Sequence, residues 1–193
     1  MANQLQQVMD RIDALNAEDP NTDTVHGIVH PRELAYAERL TAWVVRLNPN
    51  ASEALRIAAR GQHVRRWTMP RSQYPMNRQG YLKWRETLKA FHAETVAGLM
   101  REAGYGEAEI DRVTRLMSKR ELGRDADTQT LEDALCLVFL DTQFAELRAK
   151  TADEKMLDVL RKTWKKMSEA ARAEALRLPL GDAERRLLKR ALS

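Results

Sequence analysis

Apolar residues recur every three or four positions along almost the whole chain. Leu34, Ala37, Leu40, Val44 and Leu47 form one stripe; Ile110, Val113, Leu116 and Met117 form another. That spacing places the side chains of each stripe on one face of an α-helix. No segment shows the convincing alternation of a half-buried strand, and no internal repeat is present. The pattern predicts helices over about 3–16, 31–47, 51–66, 81–103, 107–119, 128–149, 153–167, 169–177 and 182–191, and so an all-α fold. Pro31 suits a first helical turn, Pro49-Asn50 separates two helices, and Gly104 and Gly181 mark stops. From Arg66 to Gly80 the periodicity lapses, leaving one long non-helical connection, which compact domains seldom carry without a use.

Residues 134–140, ALCLVFL, are apolar on every face, which assigns their helix to the centre of the domain. Glu132 and Asp133 immediately precede that run and so stand at the mouth of the core. The plainer reading is that they decorate a helix N-terminus, where the dipole favours acids.

At 193 residues the chain is most simply one domain, 1–193, with 1–20 as a peripheral helix and 150–193 as a C-terminal helical extension. No apolar run approaches the ~18 residues of a membrane span, and the opening segment is too polar for a signal peptide. The single cysteine, Cys136, forms no intramolecular disulfide and lies among apolar neighbours, the pattern of a buried structural thiol in a cytoplasmic protein without a membrane partner.

Charge distribution says more than its total. The formal net charge is +4, yet Ala54 to Arg85 contains eight arginines and lysines and no acid, so the remainder is net negative. The segment projects a field that selects anions. Arg60, Arg65, Arg66, Arg71, Arg78 and Arg85 are too many for local pairing, although some are expected to reach acids elsewhere in the fold, Glu132 and Asp133 among them. Guanidiniums fork onto phosphate or carboxylate oxygens, which makes a phosphorylated ligand the leading expectation. Trp67, Tyr74, Tyr81 and Trp84 are interleaved with them, offering faces for a base to stack on or, for Trp84, a place in the core. His63 sits between Gln62 and two arginines, neighbours that favour a neutral imidazole able to accept a proton or bind a metal; a helix-end histidine bonded to a carbonyl is the alternative.

The order of these parts resembles the HD superfamily of helical, metal-dependent phosphohydrolases. HPRELAYAERLTAWV is similar to its first element, ALRIAARGQHVRRW to its second, TQTLEDALCLVFLD to its last, and FHAETVAGLMREAGYGEAEIDRVTRLMSK to its middle helices. The strings ARGQHVRRW, PRSQYP, GYLKWR, LEDALCLVFL and KTWKKMS resemble, more closely, the uncharacterised domain-of-unknown-function 4202 family, which supplies no reaction. The HD resemblance implies a divalent metal (Mn, Fe, Zn or Mg) held by His63, His92 and Asp133 with Glu33 or His30. It also carries departures: Gln62-His63 stands where the superfamily has His-Asp, and Lys119 where a later histidine would stand. An ammonium in a ligand position repels a metal and suits a phosphate, so the metal centre is either remodelled or lost.

Two basic segments are read plainly. Lys165 to Ser168, KKMS, is similar to the signature of class I aminoacyl-tRNA synthetases, but the chain has no strand pattern to house it and HGIVH is not its partner motif. The stripe of Met156, Leu160, Trp164 and Met167 belongs in the core, with the neighbouring lysines in solvent.

The resulting expectation is an HD-like helical domain that binds a small phosphate-bearing ligand, foremost a nucleotide. His63, Asp133 and Glu132 would do any chemistry, as a remodelled phosphohydrolase. Arg60, Gln62, Arg66, Trp67, Arg71, Tyr74, Arg78 and Lys119 would hold the ligand. The competing expectation is a non-catalytic RNA-binding or adaptor protein using the same basic patch.

Overall fold

The computed structural model describes residues 3–25 and 27–193. Its helices are α1 (Gln4–Ala17), α2 (Arg32–Leu47), α3 (Glu53–Arg60), α4 (Arg78–Glu102), α5 (Glu107–Ser118), α6 (Ala126–Val138), α7 (Phe144–Ala149), α8 (Asp153–Lys166), α9 (Glu169–Ala175) and α10 (Asp182–Leu192). The all-α expectation holds. Helix starts fall where side chains can cap them: Ser52, Asn77, Asp125 and Ser168 each accept from a backbone N–H three residues on, contacts that contribute about 1 kcal/mol each. No described helix is long and apolar enough to cross a membrane.

Three features depart from the periodicity. A small antiparallel hairpin, β1 (Thr22–Val25) with β2 (Ile28–Pro31), precedes α2, pairing Asp23 with His30 and Val25 with Ile28. Four-residue strands with half their side chains exposed and none buried carry no alternating signal worth reading. The helix expected over 51–66 stops at Arg60, because Gly61 caps it and the chain then turns through Gln62 to Arg65. The helix expected over 128–149 passes at Phe139–Gln143 into a π-helical stretch between α6 and α7. The long connection before α4 contains two single 3-10 turns, Arg66–Thr68 and Arg71–Gln73.

Two apolar clusters share α6. Leu131, Ala134 and Val138 face a core built with α1 to α5, while Cys136 and Leu137 face a second one built with α7 to α10. The run that is apolar on every side is therefore the helix buried on every side. Helix α1, expected at the periphery, puts Leu5, Val8 and Ile12 into the first cluster. Gly61 lets the turn after α3 approach α4: a Cβ there would stand 2.3 Å from Val96 Cγ2.

Candidate functional site

The turn after α3 is pinned from both sides. The Val64 carbonyl lies 2.8 Å from His92 Nδ1 on α4, and the Arg65 N–H donates to Asn16 Oδ1 on α1 at 3.2 Å. Arg65 takes φ 54°, the left-handed region that a non-glycine residue occupies under strain, a feature concentrated at functional sites. So held, His63 stacks flat on Tyr36 with ring centroids 4.1 Å apart and 10° between planes. Its Nδ1 is 3.3 Å from Glu33 Oε2. Glu33 and Tyr36 lie three residues apart on α2 and so share a face. The first turn of α2 has no cap of its own. Instead Asp19 accepts from the Glu33 N–H at 3.1 Å and from the Asn21 N–H at 2.9 Å.

This geometry assigns protons. Arg66 Nη1 is 3.5 Å from His63 Nε2. A guanidinium only donates, so Nε2 is the lone-pair nitrogen and Nδ1–H faces Glu33. Burial, then Arg66, Lys119 and Arg85, hold the His63 pKa well below the ordinary imidazole range. Burial pushes the Glu33 carboxyl up to about 7 against the pull of Arg66. His92 is drawn down to about 3, chiefly by burial and next by His63.

His63 lines a cleft of about 370 Å3 between α2, α4, α5, α6 and α8, within the size range of small-molecule sites. Arg66, Arg85, Lys89, Lys119 and Lys166 stand around it against a single lining carboxylate, Glu132, and Lys89 also pairs with Glu86 at 3.5 Å. Lys119 ends α5 in the left-handed conformation, φ 54°, where glycine is the usual residue. From there its Nζ reaches Glu132 Oε2 at 3.1 Å, while Lys166 Nζ reaches Oε1 at 3.1 Å. Burial raises the Glu132 pKa, but Lys119 and Lys166 outweigh it and keep the carboxyl below its usual range. Burial also pulls the Lys119 ammonium down, more than Glu132 restores it. Arg66 lies over the Trp84 ring at 5.1 Å and Arg85 over Tyr81 at 5.9 Å, and neither makes an ion pair among the described residues. A second hollow of about 860 Å3 adjoins the cleft. Tyr36, His63, Arg66, Phe139 and Gln143 line both. Two of those five come from the π-helical stretch, an irregularity frequent at functional sites.

Several expected ligand-holding residues stand elsewhere. Arg60 forks onto Asp13 of α1, at 2.5 and 2.6 Å, and is spent on packing α1 against α3. Arg71 clamps the carbonyls of Tyr74, Pro75 and Asn77, at 2.9, 2.7 and 3.2 Å, which shapes the loop. Half-buried Trp67 and Tyr74 and exposed Arg78 do not line the cleft. Gln62, His63, Arg66, Lys119 and Glu132 do, joined by Tyr81 and by Trp84, which is buried and donates its indole N–H to the Met69 carbonyl.

The metal set does not assemble. Asp133 Oδ1 accepts from the Ser168 N–H at 2.8 Å and Gln129 Nε2 at 3.0 Å, and Oδ2 from Ser168 Oγ at 2.6 Å. It points at α9, one residue round the helix from Glu132. Glu33 faces His63 rather than a shared centre, His92 Nδ1 serves Val64, and His30 sits on the hairpin. Among the described residues no three His, Cys, Asp or Glu side chains converge as metal ligands. The residues present do not fit a divalent ion of the HD kind.

The sequence reading missed several contributors, Lys89 among them. Lys166, taken as solvent-facing, reaches the cleft, and Ser168 of the same KKMS string caps α9 and ties it to Asp133. Tyr36 carried no signal beyond its place in an amphipathic stripe, and Glu33 acts on His63 rather than on a metal. Residues 6–188 match the family described as domain of unknown function (DUF4202). No curated protein and no solved structure matches the chain. Because that match covers nearly the whole chain, the chain belongs to the DUF4202 family.

Proposed function

We propose that this member of the DUF4202 family binds a small phosphate-bearing ligand, nucleotides foremost, in the cleft beside His63 and hydrolyses it with that histidine as general base. The observation that carries the reading is the charge count of the cleft: five cations against one carboxylate, beside a neutral imidazole whose Nδ1 faces a carboxyl group. The layout of the proposal is HD-like, but its chemistry runs through protein side chains alone.

Glu33, ionised and accepting the Nδ1–H, restores basicity that burial removes, and Arg66 is drawn off Nε2 onto the phosphoryl oxygens. His63 Nε2 then takes a proton from a water as the water oxygen attacks phosphorus. The P–O ester bond breaks, and the leaving oxygen takes its proton from solvent. Arg66 and Lys119 neutralise charge developing on the phosphoryl oxygens. Lys119 gains most, because a bound dianion offsets the burial that now disfavours its charge. The RNA-binding reading draws on the same cations but calls for an open basic face. Glu132, Gln62 and His92 are only 5, 7 and 3% exposed, which favours a ligand small enough to enter.

Calorimetry of inorganic phosphate and a nucleotide panel at two salt concentrations tests the binding step. Lys119→Ala should weaken binding roughly tenfold to a hundredfold, the loss of one charge-assisted hydrogen bond, while Arg60→Met should leave affinity alone and lower stability. His63→Ala should bind and release no phosphate. Tight, salt-sensitive RNA binding with no nucleotide binding would replace this reading with the RNA one.

A further inference from the structure

The cleft is graded from wet to dry. Its lysines are the wet end, with Lys166, Lys89 and Lys119 side chains 51, 37 and 20% exposed. Its dry end is Gln62 and His92, both more than nine-tenths buried. Gln62 Oε1 is buried without a hydrogen-bond partner among the described residues. The other orphaned side-chain atoms among the described residues, on Asn16, Arg56 and Arg65, belong to residues that do not line the cleft. A native fold seldom leaves a buried acceptor unpaired unless something else supplies the donor.

His92 presents the same polarity. With its Nδ1–H donated to the Val64 carbonyl at 2.8 Å, Nε2 keeps a lone pair and makes no hydrogen bond among the described residues. The floor therefore carries two unpaired acceptors, Gln62 Oε1 and His92 Nε2, beside the Gln62 amide N–H2, and the rim is cations. A phosphate leaves both of those acceptors unpaired, since its oxygens bring only lone pairs. Between them stand Leu88, Leu135 and Trp84, an apolar wall for a carbon skeleton.

We propose, resting on the phosphate-binding reading above, that the ligand is a phosphate ester whose organic part enters first and donates hydroxyl or amino hydrogens to Gln62 and His92. The phosphoryl group stays at the lysine rim, beside His63. Inorganic phosphate fills half of the site.

The test uses the full chain, wild type and Gln62→Leu, with inorganic phosphate, ribose 5-phosphate and adenosine 5′-monophosphate as calorimetric probes. Wild-type protein should bind at least one ester roughly tenfold or more tighter than inorganic phosphate. Gln62→Leu should lose roughly three- to tenfold of that margin, the contribution of one neutral hydrogen bond, and keep its affinity for inorganic phosphate. Its melting temperature should equal or exceed that of wild type, because the orphaned acceptor is gone. A margin shared by ribose 5-phosphate assigns the donors to sugar hydroxyls; one confined to the nucleotide assigns them to the base amino group. Gln62→Met repeats the measurement should the leucine variant pack poorly. An unchanged margin in both variants, or no margin in wild type while inorganic phosphate still binds, overturns the proposal and leaves the phosphate site standing. Failure of every probe, inorganic phosphate included, removes the phosphate reading and this one with it.

Discussion

Whether Asp133 is a reactive group or a structural one turns on a single hydroxyl. Ser168 Oγ donates to Asp133 Oδ2 at 2.6 Å and accepts from the Ala171 N–H at 3.2 Å, the cap of α9. Ser168→Ala removes both contacts and leaves its own N–H on Oδ1. A hydrogen bond to a charged group contributes about 1.5–3 kcal/mol and an N-cap about 1. The two share one hydroxyl, so the expected loss is about 2–4 kcal/mol. In a chain of this length each kcal/mol lowers the melting temperature by about 2–4 °C, a drop of roughly 5–15 °C. Calorimetric melts and urea unfolding of Ser168→Ala, Asp133→Ala and the double variant supply the double-mutant cycle, whose coupling should exceed about 1 kcal/mol. A loss below about 0.5 kcal/mol for Ser168→Ala, or strict additivity, would refute the structural assignment. An Asp133→Ala protein that melts like wild type but has lost catalysis would return Asp133 to the chemistry.

Other outcomes follow from the same geometry. The Glu33 carboxyl titrates near 7 in the folded chain against an ordinary value of 4.5, so the folded state holds the proton that the unfolded state gives up. Its stabilising contribution is complete below about 4.5 and is lost as pH rises to about 7, at up to ~1.4 kcal/mol per pH unit. His63 and His92, held neutral, act in the opposite sense below their ordinary range, and both remain in Glu33→Gln. Urea midpoints should show wild type losing ground to that variant across this window, and any hydrolysis should rise over the same range as the carboxylate forms; a pH-independent difference contradicts the assignment. Gly61→Ala drives a methyl into Val96 and should cost about 1–3 kcal/mol in urea unfolding, with Val96→Ala in the same chain recovering part of it. No recovery would mean that Gly61 is needed for its backbone instead.

The elements were legible because their signals are local. A stripe such as Leu34 to Leu47 needs only its own spacing to become α2, and the caps Ser52, Asn77 and Ser168 act within three residues of themselves. The apolar run 134–140 announced a central helix for the same reason, since no polar side is left to face water. The hairpin was not legible, because four-residue strands on the surface need no alternation.

The acid-free segment marked in the sequence does supply His63, Gln62, Arg66 and Arg85 to the cleft. Which of its arginines stays unpaired was not written there. Arg60 and Arg66 are six residues apart with the same side chain, yet an acid 47 residues away claims Arg60 and none among the described residues claims Arg66. Glu132 and Asp133 are adjacent, but about 100° of helix separates them, so one meets Lys119 and Lys166 and the other meets Ser168. Lys165 and Lys166 differ only in that same rotation. Residue type and spacing determined the helices and the sign of the field. Partnership over long sequence separations was decided when α1, α5 and α8 closed around the centre, because a charge is free or spent according to what packing brings within hydrogen-bond reach.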